Sequence, residues 1–300
     1  MKRAMPCLLW ALVLLVVLVP SLAIGDAACD LNTQLMLSTF KLSHPDSSGT
    51  AVVMTRPSPK DPKGLQYVLV TAEHALSRIK ADEATLQLRK KDGEGRYAKS
   101  PLKIKIRQGG KPLWTRHPTA DVAAMIVALP PEAAVPGVPA DRLASDRELQ
   151  QYDIHPGDLI RGIGFPFPNQ FDANEGGFPV IRTGCIASYP LLPTRQTKTF
   201  FLDCNTFEGD SGAPVYLSEA NRFYAGSSHE GRVELVLGLI SGQQFLNEEI
   251  KSIYLTEKLR HRMGLGIVVH AAAIRETLDL LPPGPEGIRQ KDMGQKNEGK

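Results

Sequence analysis

Ser211 stands in Glu208-Gly209-Asp210-Ser211-Gly212-Ala213-Pro214, a glycine-rich stretch that suits a nucleophile held on a tight bend. In such a bend the backbone N–H groups of Gly209 and Ser211 can converge on one point and act as donors to an oxyanion. A serine hydroxyl alone is a weak nucleophile. It needs a base, and the base needs a group to orient it. Two residues elsewhere in the chain offer those roles. His74 closes Thr71-Ala72-Glu73-His74 behind an apolar run, and Asp121 opens Asp121-Val122-Ala123 in front of another. Taken singly, each has an ordinary reading: a surface serine in a hairpin, a structural histidine, a strand-start cap. Taken together, in the order His, Asp, Ser, they supply a base, an orienting acid and a nucleophile.

The segments that must position these residues read as short strands. Thr50 to Met54 follows Ser48-Gly49, and Gln66 to Thr71 leads directly into His74. Thr85 to Arg89 and Leu102 to Arg107 alternate apolar with polar residues, so Lys103 and Lys105 are expected on the solvated face of a half-buried sheet. Val122 to Leu129 is continuously apolar and starts immediately after Asp121. A proline-rich passage follows, and the strand pattern restarts at Pro156-Gly157-Asp158-Leu159-Ile160. It continues through Val180 to Ser188, Lys198 to Asp203, Pro214 to Leu217, Arg232 to Ser241 and Gly266 to Val269. A helical period is convincing over Ala271 to Leu281, where Ile274, Leu278 and Leu281 share a face. Residues 243–265 are open between a long loop and a short helix.

This organisation places residues 46–130 in a first β-rich half with His74 and Asp121, 131–155 in a linker, and 156–270 in a second half with Ser211. Residues 271–281 form a helix, and 282–300, rich in Gly, Pro, Lys, Gln and Glu, are expected to be a disordered tail. A cleft between the halves is where the three groups would meet.

The ordered set Thr-Ala-x-His, Asp-Val-Ala and Gly-Asp-Ser-Gly-x-Pro resembles the trypsin-like serine peptidases of the chymotrypsin fold, over about Ser48 to Leu281. It comes closest to bacterial exported members through Ser48-Gly49-Thr50, Gly164-Phe165-Pro166 and Asn205-Thr206-Phe207. The resemblance implies an all-β fold of two Greek-key six-stranded β-barrels, with the active site between them and a C-terminal helix. It also implies a catalytic triad of His74, Asp121 and Ser211 with an oxyanion hole at Gly209 and Ser211. Substrate-binding positions carried over are Asn205, Thr206, Ser241, Gly242 and Gly266, with the Ser241 hydroxyl near Asp121. Asn205 stands at the pocket base, so the acidic floor that selects Lys or Arg is absent. Thr206 and Gly266 suggest an uncharged pocket of modest size, which Gln243 could narrow. A departure concerns Asp210: with no Ile-Val-Gly-Gly-like start before the first barrel, it has no evident ammonium partner and is expected to hydrogen-bond within its own loop. The implied function is an exported serine endopeptidase acting on a protein or peptide through an acyl-enzyme. The alternative is a catalytically silent protease-fold protein that binds peptides.

The N-terminus and composition frame this reading. Lys2-Arg3 precede an apolar run from Cys7 to Val19, then Pro20 and Ser21-Leu22-Ala23, which is the pattern of a cleaved secretory signal over 1–23, with 24–45 as an N-terminal extension. The mature chain is expected in the periplasm or outside the cell, with no stable membrane insertion after cleavage. In such a compartment disulfides persist, and Cys185 and Cys204, in neighbouring strand-like segments, are expected to pair; Cys29 is left as a free thiol or a link to another chain. Without Lys2 and Arg3 the formal charge falls from +3 to +1, and aromatics are sparse at 6%, which argues against nucleic acid as a partner. No His/Cys/Glu cluster shows ligand spacing, so no metal and no cofactor are expected.

Overall fold

The computed structural model describes residues 30–61, 64–168, 170, 174–284 and 288–289. The expected signal peptide, Cys29 and most of the expected tail lie outside the described residues.

Six longer strands make the body of the first half: β1 (Thr39–His44), β2 (Ser47–Pro57), β3 (Gly64–Thr71), β4 (Glu83–Lys91), β5 (Tyr97–Lys105) and β6 (Ala123–Ile126), with two-residue strands added at its edges. Their hydrogen-bonded order is β5-β4-β1-β2-β3-β6. Six more make the second half: β7 (Leu159–Gly164), β8 (Val180–Ile186), β9 (Thr199–Asp203), β10 (Pro214–Tyr224), β11 (Ser227–Lys251) and β12 (Thr256–His270). These close into a barrel in the order β7-β8-β9-β12-β11-β10. The two orders are the same cycle. In the first half the cycle is open between β5 and β6, and β6 pairs on its other edge with the two-residue strand Thr115–Arg116. The chain is thus an all-β double barrel in which one topology is used twice, although the two halves share no sequence repeat.

Alternation along β2 and β3 explains why their sequences are continuously apolar. Ala51, Val53 and Leu69 face the interior of the first half with Phe40, Leu42, Leu86, Leu88 and Met125. Val52, Met54, Val68 and Val70 face the other way, into a core shared with Val215, Leu239, Ile240 and Val268 of the second barrel. Strands buried on both faces lose the polar alternation of a half-solvated sheet. Helix α1 (Leu31–Ser38) and the C-terminal helix α5 (Ala271–Asp279) join that shared core through Leu31, Leu35, Ile274 and Leu278, and Leu281 just past α5 adds to it. Lys103 and Lys105 are exposed on β5 while Ile104 is buried.

The structure corrects several expectations. Strand pairing in the first half already begins at Thr39, inside the expected N-terminal extension, because β1 pairs with both β2 and β4. The linker is not bare: Val138–Pro139 pairs with β2, and helix α3 (Asp146–Gln151) starts at Ser145 with a reciprocal cap from Glu148, while the single turn α4 (Thr194–Thr197) leads into β9. Residues 243–265 are neither loop nor helix but the outer part of a β11–β12 hairpin, paired from Phe245↔Arg262 to Lys251↔Thr256. The expected tail starts as ordered chain: Arg56 donates to Pro282 O and Gln66 to Pro283 O, and Ile288–Arg289 pairs with β3.

Cys185 and Cys204 are free thiols, not a disulfide. Cys185 pairs directly with Asp203 across β8 and β9. Cys204, one residue further, therefore points to the opposite face. Its Cβ lies against Gly184, 3.0 Å from where a Cβ on that glycine would stand.

His270 ends β12 and is buried against the Phe200 ring at 5.0 Å between centroids. Burial pushes its pKa down from 6.5 to about 4. Between those values the unfolded chain binds a proton that the folded chain refuses, so stability falls as pH drops through this window and levels off below about 4. His270→Phe removes the proton site and keeps a ring. Thermal unfolding midpoints are expected to decline less from pH 6.5 to about 4 in this variant than in wild type; parallel declines would contradict the assignment.

Candidate active site

The three candidate groups meet at the junction of the halves. β3 ends at Thr71, and the short helix α2 (Glu73–Ser77) turns the chain so that His74 projects toward the second barrel. His74 Nδ1 lies 2.6 Å from Asp121 Oδ2, and His74 Nε2 lies 2.9 Å from Ser211 Oγ. The other Asp121 oxygen, Oδ1, accepts the His74 backbone N–H at 3.0 Å. A carboxylate only accepts, so Nδ1 carries the ring proton and Nε2 is left to accept from the Ser211 hydroxyl. Burial by itself would raise the Asp121 carboxyl, but the His74 hydrogen bond and the backbone N–H groups outweigh it and hold Asp121 below 3.8. The acid thus stays ionised beside the imidazole.

Ser211 is placed by the turn before it. Gly209 has φ +96°, and a Cβ there would lie 2.2 Å from Phe165 O. Gly212 has φ +90°, and a Cβ there would lie 2.1 Å from Thr50 O. Only glycine fits at either position. Neither the Gly209 N–H nor the Ser211 N–H has an intramolecular acceptor among the described residues. Two free donors beside the nucleophile suit the oxyanion of a tetrahedral intermediate.

Thr50, fully buried on β2, fastens this turn to the first half. Its N–H donates to Ser211 O at 2.9 Å, and its hydroxyl donates to Gly209 O at 2.8 Å. The same hydroxyl accepts Phe165 N–H at 3.1 Å, and the Thr50 carbonyl accepts the Thr71 hydroxyl at 2.7 Å. Every polar atom of Thr50 is used, and the residue flanks both the oxyanion turn and the strand that leads to His74.

Asp210 is fully buried below the turn, and it has a cationic partner after all. Arg182 on β8 forms an ion pair with Asp210 Oδ1 at 2.5 Å, while Oδ2 accepts Phe207 N–H at 2.7 Å as a bond within the loop. Burial raises the Asp210 carboxyl, and Arg182 opposes that shift. Arg182 also donates to Asn205 O at 2.9 Å. One guanidinium therefore braces the turn from Asn205 to Asp210. Nothing around Arg182 in sequence marks it; the contact exists because β8 runs beneath this loop.

A cleft of about 450 Å³ opens beside Ser211. Thr206, Ser241 and Gly242 line it with His74, Gly209 and Ser211, and Gln243 forms part of its wall. Gly266 sits behind Thr206, with 2.7 Å between its hypothetical Cβ and Thr206 Cγ2, so its lack of a side chain makes room for Thr206. Asn205 is turned toward Gly264 instead of lining the cleft. Ser241 makes no hydrogen bond to Asp121 among the described residues. Arg78 and Arg260 face the cleft together with Asp46 and Glu208, so its rim is charge-balanced. No cluster of metal-ligating side chains occurs among the described residues.

Strand order gives the double β-barrel architecture of the chymotrypsin fold, with a His–Asp–Ser arrangement between its halves. No protein-family model matches the chain, and no curated protein matches it. Solved structures similar to it include an inactive form of Rv3671c from M. tuberculosis H37Rv, at 16% identity over 82% of this chain and 87% of that one, with a TM-score of 0.42. The protease Anisep from Arthrobacter nicotinovorans matches at 15% identity over 81% and 94%, with a TM-score of 0.43. Neuropsin, a serine protease expressed in the limbic system of mouse brain, matches at 14% identity over 82% and 96%, with a TM-score of 0.44.

Thr50→Val keeps the shape and removes the hydroxyl, leaving Phe165 N–H without its acceptor. Denaturant unfolding is expected to show a loss of about 1–3 kcal/mol. A loss below about 0.5 kcal/mol, within the range of an ordinary surface change, would mean that the hydroxyl does not fasten the halves.

Proposed function

We propose that the chain is an exported serine endopeptidase that cleaves protein or peptide substrates through an acyl-enzyme. The observation that carries this is the continuous relay from Asp121 through His74 to Ser211 at 2.6 and 2.9 Å, beside two unpartnered N–H donors. Ser211 Oγ attacks the scissile carbonyl as its proton passes to His74 Nε2. Asp121 stabilises the imidazolium, and the Gly209 and Ser211 N–H groups hold the carbonyl oxygen as it becomes an oxyanion. His74 then gives its proton to the leaving amine. Water, activated by the same imidazole, adds to the acyl-enzyme, and collapse of that second intermediate returns Ser211 and releases the acid.

Specificity follows from the cleft. Thr206 is buried, and its hydroxyl has no intramolecular partner among the described residues. With neither an acidic floor nor a surplus of one charge at the rim, the pocket suits an uncharged side chain of modest size. Export remains part of the proposal, supported by the signal-like pattern of residues 1–23. Among the described residues no helix is long and apolar enough to cross a membrane.

Incubation with a fluorophosphonate is the test. The wild type is expected to gain one covalent adduct, mapped to Ser211 by peptide mass, and Ser211→Ala to gain none. A folded wild type that does not label, or a Ser211→Ala variant that labels equally, would overturn the reading. Binding of a peptide without labelling or cleavage would favour the silent alternative.

A further inference from the structure

Asp121 reaches His74 from a loop, His117 to Val122, whose shape depends on one imidazole. His117 Nδ1 accepts the backbone N–H of Thr119 at 3.1 Å and of Ala120 at 2.9 Å. His117 N–H donates to Val122 O at 2.9 Å, and Val122 N–H donates to Ala120 O at 2.9 Å. On the other side of the ring, Nε2 lies 2.9 Å from Glu276 Oε2 on α5, and the side chain is only 9% exposed. A ring nitrogen that accepts two amide N–H groups carries no proton, so the proton is on Nε2 and is donated to Glu276. The ring is therefore a single tautomer, held at both edges. Asp121 sits between Ala120 and Val122, the two residues whose amides this arrangement pins. No other side chain accepts from the backbone N–H groups of this loop among the described residues.

We infer that His117 is a positioning residue for the Asp121–His74 pair, acting through its Nδ1 acceptor on the loop that presents the acid. This rests on the peptidase reading of Ser211. The geometry demands it because Asp121 must meet two atoms of His74 at once, the ring Nδ1 at 2.6 Å and the backbone N–H at 3.0 Å. A loop that rotates about its own axis breaks one of these contacts, and a displacement of about 1 Å at a catalytic group costs about 100-fold in rate. The Glu276 contact has a separate role: it docks the loop on α5, where Arg195 also approaches Glu276 at 3.7 Å.

The two edges of the ring can be separated chemically. Asparagine places its Oδ1 where His117 Nδ1 stands and can accept the same two N–H groups, but it does not reach Glu276. Glutamine reaches Glu276 with its amide nitrogen and has no acceptor at the δ position. Glu276→Ala leaves the loop acceptor intact and removes only the docking partner. Fluorophosphonate labelling of Ser211, resolved into the limiting rate kinact and the half-saturating concentration KI, gives the readout.

His117→Asn and Glu276→Ala are expected to stay within about threefold of wild type in kinact. His117→Gln is expected to lose about 10- to 100-fold in kinact with KI unchanged, the pattern of an effect on the reacting groups and not on probe binding. The inference is overturned if His117→Gln labels like wild type, if His117→Asn is as slow as His117→Gln, or if Glu276→Ala loses about tenfold or more in kinact. The Glu276→Ala arm decides even if His117→Gln fails to fold. If wild type itself does not label, the peptidase reading has failed separately. The proton shared by His74 Nδ1 and Asp121, seen at low field by NMR, then settles the role of His117 by persisting in His117→Asn and vanishing in His117→Gln; the reverse pattern, or persistence in both, rejects it.

Discussion

Much of the structure depends on one buried threonine. Thr50 sits on a strand of the first half and spends its amide and its hydroxyl on Ser211 O and Gly209 O, both in the second. Catalysis of the proposed kind needs His74 and Ser211 within hydrogen-bonding reach although they belong to separate barrels. Apolar burial between the barrels is non-directional and tolerates sliding. The bonds of Thr50 are directional, and because they are buried they cannot be exchanged for water without cost. They fix the relative register of the halves at the place where register matters for chemistry.

Around that clasp, charges and backbone conformations each have a distinct task. Gly209 and Gly212 allow the tight turn that leaves two N–H groups free, and the Asp210–Arg182 pair braces it from below. A buried ion pair of this sort is weak support for overall stability, since desolvation offsets most of the attraction, but losing one partner would leave the other charge stranded under the turn. Asp121 solves a related problem differently. Its carboxylate is only partly withdrawn from water, and bonds from His74 and neighbouring amides keep it ionised. The result is a site whose donors and acceptors are committed in advance, the condition under which electrostatic stabilisation of a transition state is most effective.

The meeting of His74, Asp121 and Ser211 was legible in the sequence because each lies in a short local pattern, next to an apolar strand or a glycine turn. The strands of the double barrel were legible for the same reason. Less visible were features defined by the approach of distant segments. Arg182 is an ordinary basic residue in a strand until β8 passes beneath Asp210. His117 carries no surrounding pattern, and its role appears only once the loop and α5 are seen together. The outer β11–β12 hairpin defeated the strand test because both of its faces are solvated there: Leu246, Ile250, Ile253, Tyr254 and Leu255 are exposed beside charged neighbours, so no alternation was imposed. The cysteine pairing failed on register. Adjacent strands brought the two residues near each other, but an offset of one position sent the thiols to opposite faces.

The central claim is that Ser211, His74, Asp121 and the two N–H donors form one preorganised site. A crystal structure with a peptidyl boronic acid tests it most directly, because tetrahedral boron mimics the intermediate. The account predicts boron bonded to Ser211 Oγ, one boron oxygen held by the Gly209 and Ser211 N–H groups, and His74 still bonded to Asp121. A boronate attached elsewhere, or attached to Ser211 with no oxygen directed at those two donors, would contradict it.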